Sequence, residues 1–489
     1  MKMNWRYFPS FTLEGKLILC YSIFSFLALV VILTIGLTDN EAYYWSWSLR
    51  PDLSYFDHPP LHAWSIWLSS QVLSKTNLAV RIPALLSFWS CTYLYILWAR
   101  RLNIPWQVCI AFFISMPLFF IFSWNSLPDV LLFPLALLTI HLTANKKYWQ
   151  GGIMLGLALL AKWHAVLITP GLIVMVAMQE REMKRILKSL FFPILLAIII
   201  QIPVIFWNIQ YDWVSVKYHL LLRHKNNSSE WYEFVMRFIS YWGSILAIGG
   251  VVFSYTLFKF LSQIRAKSKW DKNDIILIAL SFPMLMIFFV SALKGQYRIY
   301  WTGLAIFPLS LLFLKNISSE DFTQACKLST KAFWSFSILL VLILYFPIGH
   351  YIKPIVEKFR TYDIRFSPAG DMTGWDSWAK KEVKKHMNKN GNSLFVASDI
   401  RLASQLLWNS NLDIKNVHVL NPIKQYAIWR RPDLKSFPHL VFFGDNRRKI
   451  HKDDITKICS PIDHPSTETY LMNKIVKIID QFECFIRTN

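Results

Sequence analysis

The chain has 489 residues, of which 54% are hydrophobic, 16% aromatic and only 17% charged, against about 25% charged in an ordinary soluble domain. The apolar residues fall in blocks of roughly 18–22, the length that crosses a hydrocarbon core of about 30 Å, which excludes a purely soluble globular protein. The formal charge of +22 does not point to nucleic acid: Arg100–Arg101, Lys146–Lys147, Arg181 with Lys184, Arg185 and Lys188, and Arg265 with Lys267 and Lys269 all lie between apolar blocks, the pattern of positive cytoplasmic loops.

In chain order, Lys16–Leu37 is the first apolar block. It is too long for a signal peptide and no small-residue cleavage site follows it, so it reads as a retained anchor, with Lys2, Arg6 and Lys16 inside. A polar and aromatic outer segment runs from Thr38 to Leu61, and Leu61–Leu73, too short to span, reads as an interfacial helix within a first outer loop of 38–79. Further helices are expected near 80–99, 104–122, 129–144, 150–161, 164–178, 189–207, 237–260, 274–293, 300–315 and 332–351. The total of about eleven spans is odd and places the C-terminal tail outside by the charge rule. A single helix in place of the short pair 150–161 and 164–178 would put the tail inside.

From Lys353 the composition becomes mixed and polar. Ser393–Ala397, Val417–Leu420 and Leu440–Phe443 read as strands and Trp375–Met387 and Ile400–Trp408 as helices, an alternation that argues a small α/β domain. No phosphate-binding glycine loop and no metal-spaced Cys/His set is legible there. The expected organisation is a transmembrane domain over 1–352 and an extracytoplasmic α/β domain over 353–489. Cys20, Cys91 and Cys109 sit in apolar blocks, where a thiol acts as a small hydrophobe. Cys459 and Cys484 are free to pair if the tail is extracytoplasmic.

The chemistry concentrates in the first outer loop. Asp39-Asn40-Glu41 stands at the exit of a membrane helix, Tyr43, Tyr44 and Trp45 follow, and then comes Tyr55-Phe56-Asp57-His58-Pro59-Pro60. Aromatics here also suit an interfacial belt. Three acids and a His at a membrane surface are costly unless they act on something.

These residues, with Leu127-Pro128-Asp129, Ala161-Lys162-Trp163-His164-Ala165, the run Trp207–Ser215, and the C-terminal Asp371-Met372-Thr373-Gly374-Trp375, Ala397-Ser398-Asp399 and Leu402-Ala403-Ser404, resemble the GT-C membrane glycosyltransferases. The closer likeness is to the bacterial branch of the dolichyl-phosphate-mannose protein mannosyltransferase family, to which the lipid A aminoarabinose transferase belongs. The resemblance implies an α-helical polytopic fold with a small C-terminal α/β domain. It implies an inverting enzyme at the periplasmic face of a bacterial inner membrane, moving a monosaccharide from an undecaprenyl-phosphate donor to lipid A or another glycolipid.

It also implies a site. Asp39, Asn40, Glu41 and Asp129 are its catalytic, acceptor-side set; Tyr44, Tyr55, Asp57, His58, Lys162, Arg298 and Tyr300 are its substrate-binding set, with His58, Lys162 and Arg298 on the leaving phosphate. The family has Asp where this chain has Asn40, and Asn positions an acceptor but cannot take its proton. A phosphate acceptor needs no base, whereas a hydroxyl benefits from one. Plainer readings stand beside these roles: snorkelling for Lys162 and Arg298, and a helix N-cap for Asp129. No cofactor is implied with certainty; a divalent metal at Asp57 and His58 is left open. The rivals are protein O-glycosylation by the same chemistry and, from another class, a lipid transporter or flippase. A transporter would call for charges at mid-membrane and broken repeats; here the charges cluster at helix ends.

Overall fold

The computed structural model describes residues 11–219, 231–264, 269–295, 297–346, 372–390, 393–420, 424–429, 433–445, 448–460, 462–471 and 474–485. Part of the expected 332–351 helix, and Asp371 of the C-terminal motif, lie outside them. The chain divides into two compact units: Met1–Ile32, Asp52–Ser65 and Arg81–Ser337 form the first, and Leu33–Pro51, Ile66–Val80 and Ile338–Asn489 the second. The first outer loop is thus shared between the units, and is not an appendage of the membrane part.

The helical segments are α1 (Phe11–Thr34), α2 (Asp39–Ser48), α3 (Leu61–Leu73), α4 (Asn77–Arg101), α5 (Trp106–Ile114), α6 (Pro117–Trp124), α7 (Asp129–Ala144), α8 (Tyr148–Ala161), α9 (Thr169–Gln179), α10 (Met183–Ile200), α11 (Ile202–Gln210), α12 (Val214–Lys217), α13 (Trp231–Gln263), α14 (Lys272–Leu293), α15 (Gly303–Lys315) and α16 (Ser319–Tyr345). Among the described residues five helices are long and apolar enough to cross a membrane, or seven if each bent pair is one span. The expected segments are therefore helical, but length alone does not give eleven spans, because two are bent pairs and four others run only 10–17 residues. The expected 104–122 helix bends by 75° between α5 and α6. Pro117 at the start of α6 has no N–H to continue the ladder. The expected 189–207 helix bends by 46° at Gln201, just before Pro203. The short pair stays separate: Lys162, with φ −163° and ψ 133°, is extended backbone that ends α8, and a 3-10 turn over Trp163–Ile168 leads into α9. A further kink in α13 falls at Gly250, at φ 78°. There a β-carbon would collide with the backbone carbonyl of Ser115, so only glycine lets α13 approach the α5–α6 bend.

In the second unit the segment expected as open loop is helical. Thr38 forms a capping box at the start of α2: its hydroxyl accepts from the Glu41 N–H at 3.2 Å, while the Glu41 carboxylate accepts from the Thr38 N–H at 2.9 Å. Two orphan donors are satisfied at once.

The C-terminal part carries a five-stranded sheet in the order β2-β1-β3-β5-β4, with β1 Ser393–Ala397, β2 Val417–Val419, β3 His439–Asp445, β4 Ile462–Leu471 and β5 Lys474–Phe485. β2, β1 and β3 are parallel, whereas β5 and β4 are antiparallel additions. The three expected strands and the helices Trp375–Asn390 and Ile400–Asn409 are present; β4 and β5 were not legible. Leu394, Val396, Leu440 and Phe442 fill the core beneath the sheet. Gly444, the penultimate residue of β3, sits where a β-carbon would lie 2.7 Å from the Ile450 amide nitrogen and 2.8 Å from the Arg448 carbonyl oxygen.

Cys459 and Cys484 form a disulfide, as their place in the tail allowed. Closing a loop of sequence separation 25 stabilises by about 3 kcal/mol through the unfolded chain. Cys459→Ser is accordingly expected to lower the thermal midpoint of the purified protein, and reductant should lower the wild type to the same value. Equal midpoints with and without reductant would count against a structural bridge.

Candidate active site

The residues read as one site are distributed over the two units. In the first unit, the break at Lys162 turns its side chain off α8 and onto Asp129, the first residue of α7. The ammonium lies 2.7 Å from each carboxylate oxygen, and the two residues are only 2% and 3% exposed. Such burial is tolerated because the pair neutralises itself; removing one partner strands a charge. The Tyr300 ring faces the same ammonium, with its centroid 5.3 Å away. Tyr300 is set by the 3-10 turn Ile299–Thr302, pinned by the Tyr297 hydroxyl against the Thr302 hydroxyl at 3.1 Å. Arg298, at the head of that turn, is exposed. Lys162 and Asp129, read above as serving opposite sides of the reaction, are thus in direct contact.

An apolar groove of about 350 Å³ lies in the same unit, lined by Leu159, Trp163, Val166, Ile198, Val204 and Trp213 among others, Trp163 being the residue after Lys162. Near it, Asp57 is buried and His58 half-buried, and the Asp57 carbonyl accepts from His219 Nε2–H at 2.9 Å. The His58 and His219 rings lie 6.4 Å apart, and Trp163 meets His219 edge to face at 5.4 Å. Among the described residues the donor atoms of Asp57, His58 and His219 do not come together closely enough to form a metal-holding group. Tyr55 is fully buried, its hydroxyl accepting from the Asp52 N–H at 3.0 Å. It supports the turn instead of lining the groove. Asp52 ties that turn to α11, accepting from the Trp207 indole N–H at 3.0 Å.

In the second unit, both Asp39 carboxylate oxygens are engaged: Arg448 reaches one at 2.9 Å and the Gln405 amide donates to the other at 3.1 Å. Arg448 also grips Asp445 at 2.7 Å and approaches Asp399 at 3.7 Å. Burial works against its charge, but Asp39, Asp445 and Asp399 outweigh that and raise its pKa further. Glu41 is fully buried in the capping box, Asn40 is exposed and Tyr44 half-buried.

Sequence reasoning missed His219, Asp52, Arg448 and Arg81. His219 lies four residues past the Trp207–Ser215 motif, where the reading stopped. Arg81, fully buried, donates to the carbonyls of Val31 and Ile32 at 3.4 Å each and stacks over Trp124 at 5.6 Å. A cation on the last carbonyls of a helix suits the negative end of its dipole. The signal for it was a charge at the second residue of the expected 80–99 span.

Residues 57–207 match the family model described as dolichyl-phosphate-mannose-protein mannosyltransferase. The lipid A galacturonosyltransferase RgtD of Rhizobium johnstonii (strain DSM 114642 / LMG 32736 / 3841) is 26% identical over 312 residues, covering 58% of this chain and 63% of RgtD. The chain thus spans less than two thirds of that curated relative. Two solved structures of ArnT from Cupriavidus metallidurans share the fold. The apo form is 12% identical with a TM-score of 0.59, and the form bound to undecaprenyl phosphate 11% identical with a TM-score of 0.60, each covering 96% of this chain and 98% of ArnT. The expected fold class, a polytopic helical protein with a small C-terminal sheet domain, agrees with that likeness.

Proposed function

We propose that this chain, whose residues 57–207 match the dolichyl-phosphate-mannose-protein mannosyltransferase family model, transfers a monosaccharide from a polyprenyl-phosphate carrier to lipid A or another lipopolysaccharide component. The observation that carries this is the buried Lys162–Asp129 pair, with an apolar groove lined by the next residue, Trp163: a compact cation and an apolar channel for an isoprenoid tail are what a lipid phosphate requires. The names of RgtD and of the undecaprenyl-phosphate complex of ArnT support the donor and the acceptor.

In the reaction an acceptor oxygen attacks the anomeric carbon as the bond from that carbon to the carrier phosphate oxygen breaks. The electron pair leaves with the phosphate, and the anomeric centre inverts. Lys162 takes up the growing charge on the phosphate. Asp129 holds and orients that ammonium, and so acts through Lys162, not as an independent acceptor base. Tyr300 walls the ammonium on its other side. Asp39 and Glu41 serve the anchoring and capping of α2. With Asn40 exposed and unable to take a proton, an acceptor phosphate, already an anion, fits better than a hydroxyl.

The test uses purified protein in lipid, a defined polyprenyl-phosphate sugar, and lipid A with and without its phosphates, read by mass spectrometry. Transfer to phosphorylated lipid A alone is the expected outcome, with Asn40→Asp leaving the rate nearly unchanged. A higher rate in Asn40→Asp would indicate a hydroxyl acceptor. Lipid translocation without transfer would replace this reading by the flippase.

We also place the second unit at the periplasmic face. The disulfide supports this, because such bonds persist in oxidising compartments. An exposed Ser377→Cys is expected to react with a membrane-impermeant maleimide added to intact spheroplasts; labelling only after lysis would reverse the topology.

A further inference from the structure

The second unit contains a cluster that neither the motifs nor the transfer chemistry uses. Glu382 and His386 stand one turn apart on the helix Trp375–Asn390, His439 opens β3, and Glu483 lies on β5. All four are buried: 7%, 0%, 1% and 3% exposed respectively. His439 and Glu483 share a face because β3 and β5 pair antiparallel with Val441 opposite Glu483 and His439 opposite Phe485, and residues two apart on a strand point the same way.

We propose that His386, His439 and Glu483 form a structural zinc site, with Glu382 beside His386. The donor atoms converge: His439 Nε2 is 3.2 Å from a Glu483 oxygen, and His386 Nε2 is 3.6 Å from the other Glu483 oxygen and 3.5 Å from Glu382. In a tetrahedral zinc site with arms of about 2.0–2.1 Å, ligand atoms stand roughly 3.3–3.4 Å apart. The observed separations bracket that edge length.

The hydrogen-bond pattern points the same way. Gln481 Nε2, an amide donor, lies 2.8 Å from His386 Nε2, so that nitrogen carries a lone pair, the form a metal requires, and zinc would take it by displacing the amide. The hydrogen then sits on Nδ1, which is buried without a hydrogen-bond partner. The other ring is fixed from behind, His439 Nδ1 lying 2.8 Å from the Ser393 hydroxyl. A partner on the far nitrogen is how ligating imidazoles are oriented. Two carboxylates in a dry interior need two positive charges. Lys385 reaches Glu382 at 3.3 Å but is half-exposed and on the outer side, whereas one divalent cation neutralises both. Two imidazoles with two carboxylates suit zinc better than calcium or magnesium, which prefer oxygen alone. The three ligands come from β3, β5 and the helix, so the ion would brace these elements against one another.

The experiment takes the full-length protein purified in detergent without affinity metals, with zinc measured by mass spectrometry against protein concentration. The expected result is one zinc per chain that survives dialysis, is removed by strong chelators with a fall in thermal midpoint, and is restored by zinc alone. Cobalt(II) replacing it should show the visible bands of a tetrahedral ion, altered in Glu483→Gln. The double variant His386→Asn/His439→Gln should lose that equivalent. Because it could also lose its fold, the single Glu483→Gln spectrum and the wild-type chelation curve stand as independent readouts. Absence of zinc from well-folded wild type, with a midpoint indifferent to chelator, overturns the proposal. So does zinc that persists in the folded double variant, which would then be held elsewhere.

Discussion

Asp129→Asn is expected to lower turnover by about 10²–10³, the loss typical of removing one group that stabilises transition-state charge. The same substitution should destabilise the protein by about 3–5 kcal/mol, because it leaves the Lys162 ammonium buried without its anion. The two effects can be separated. Asp129→Leu with Lys162→Met replaces a dry ion pair by apolar side chains of similar reach, which is often neutral or stabilising; that double variant should melt near the wild type and remain inactive. Lys162→Arg should recover only part of the activity, since a planar fork cannot take the place of a compact ammonium held at 2.7 Å from two oxygens and against a ring at 5.3 Å. Turnover near normal in Asp129→Asn would remove the pair from the mechanism.

Arg448→Met should be nearly as destabilising, by about 3–5 kcal/mol, for a different reason. It strands the Asp39 and Asp445 carboxylates, the latter fully buried, and releases the first turn of α2. Asp39→Asn should cost less, about 1–3 kcal/mol, because Gln405 can still bond an amide. In a double-mutant cycle the two positions should couple by about 0.5–3 kcal/mol, as residues in one network do. Activity discriminates the roles: if Asp39 is an anchor, turnover per folded Asp39→Asn molecule stays within a few-fold of wild type. A loss of about 10² or more, with the fold intact, would restore Asp39 as a catalytic base.

The order of motifs in the sequence led to Asp129 and Lys162 but not to their contact, which depends on a chain break that no residue type at 162 signals. The helical segments were legible from apolar blocks, but their bends were not weighed, although Pro117 and Pro203 announced them. For α2 the signal was present: Thr38 followed three residues later by Glu41 is a capping-box spacing. The run Tyr43–Trp47 that follows shows no single apolar face, which leaves the segment without a helical periodicity in the sequence. β5 alternates Lys, Glu and Asp with Ile and Phe, and β4 contains Pro465, so neither resembled the buried parallel strands beside them. The partners of distant residues, His219 on Asp57 and Arg448 on Asp39, are set by tertiary structure and leave no trace in local spacing.

The sheet of the second unit has one further implication. Its parallel half departs from β1 in both directions, first to β2 on one side and then to β3 on the other. In open α/β sheets the crevice outside the carboxyl ends of two such strands is where ligands settle. Here the segments following β1 and β3 supply Asp399, Asp445 and Arg448, and what rests on them is Asp39. The domain has therefore spent its natural receptor position on a piece of its own chain: α2 occupies the berth as a tethered guest. A fragment beginning after the last membrane helix would carry the berth empty, with a guanidinium facing a vacant seat, so a faithful excision of this domain has to bring residues 33–51 with it.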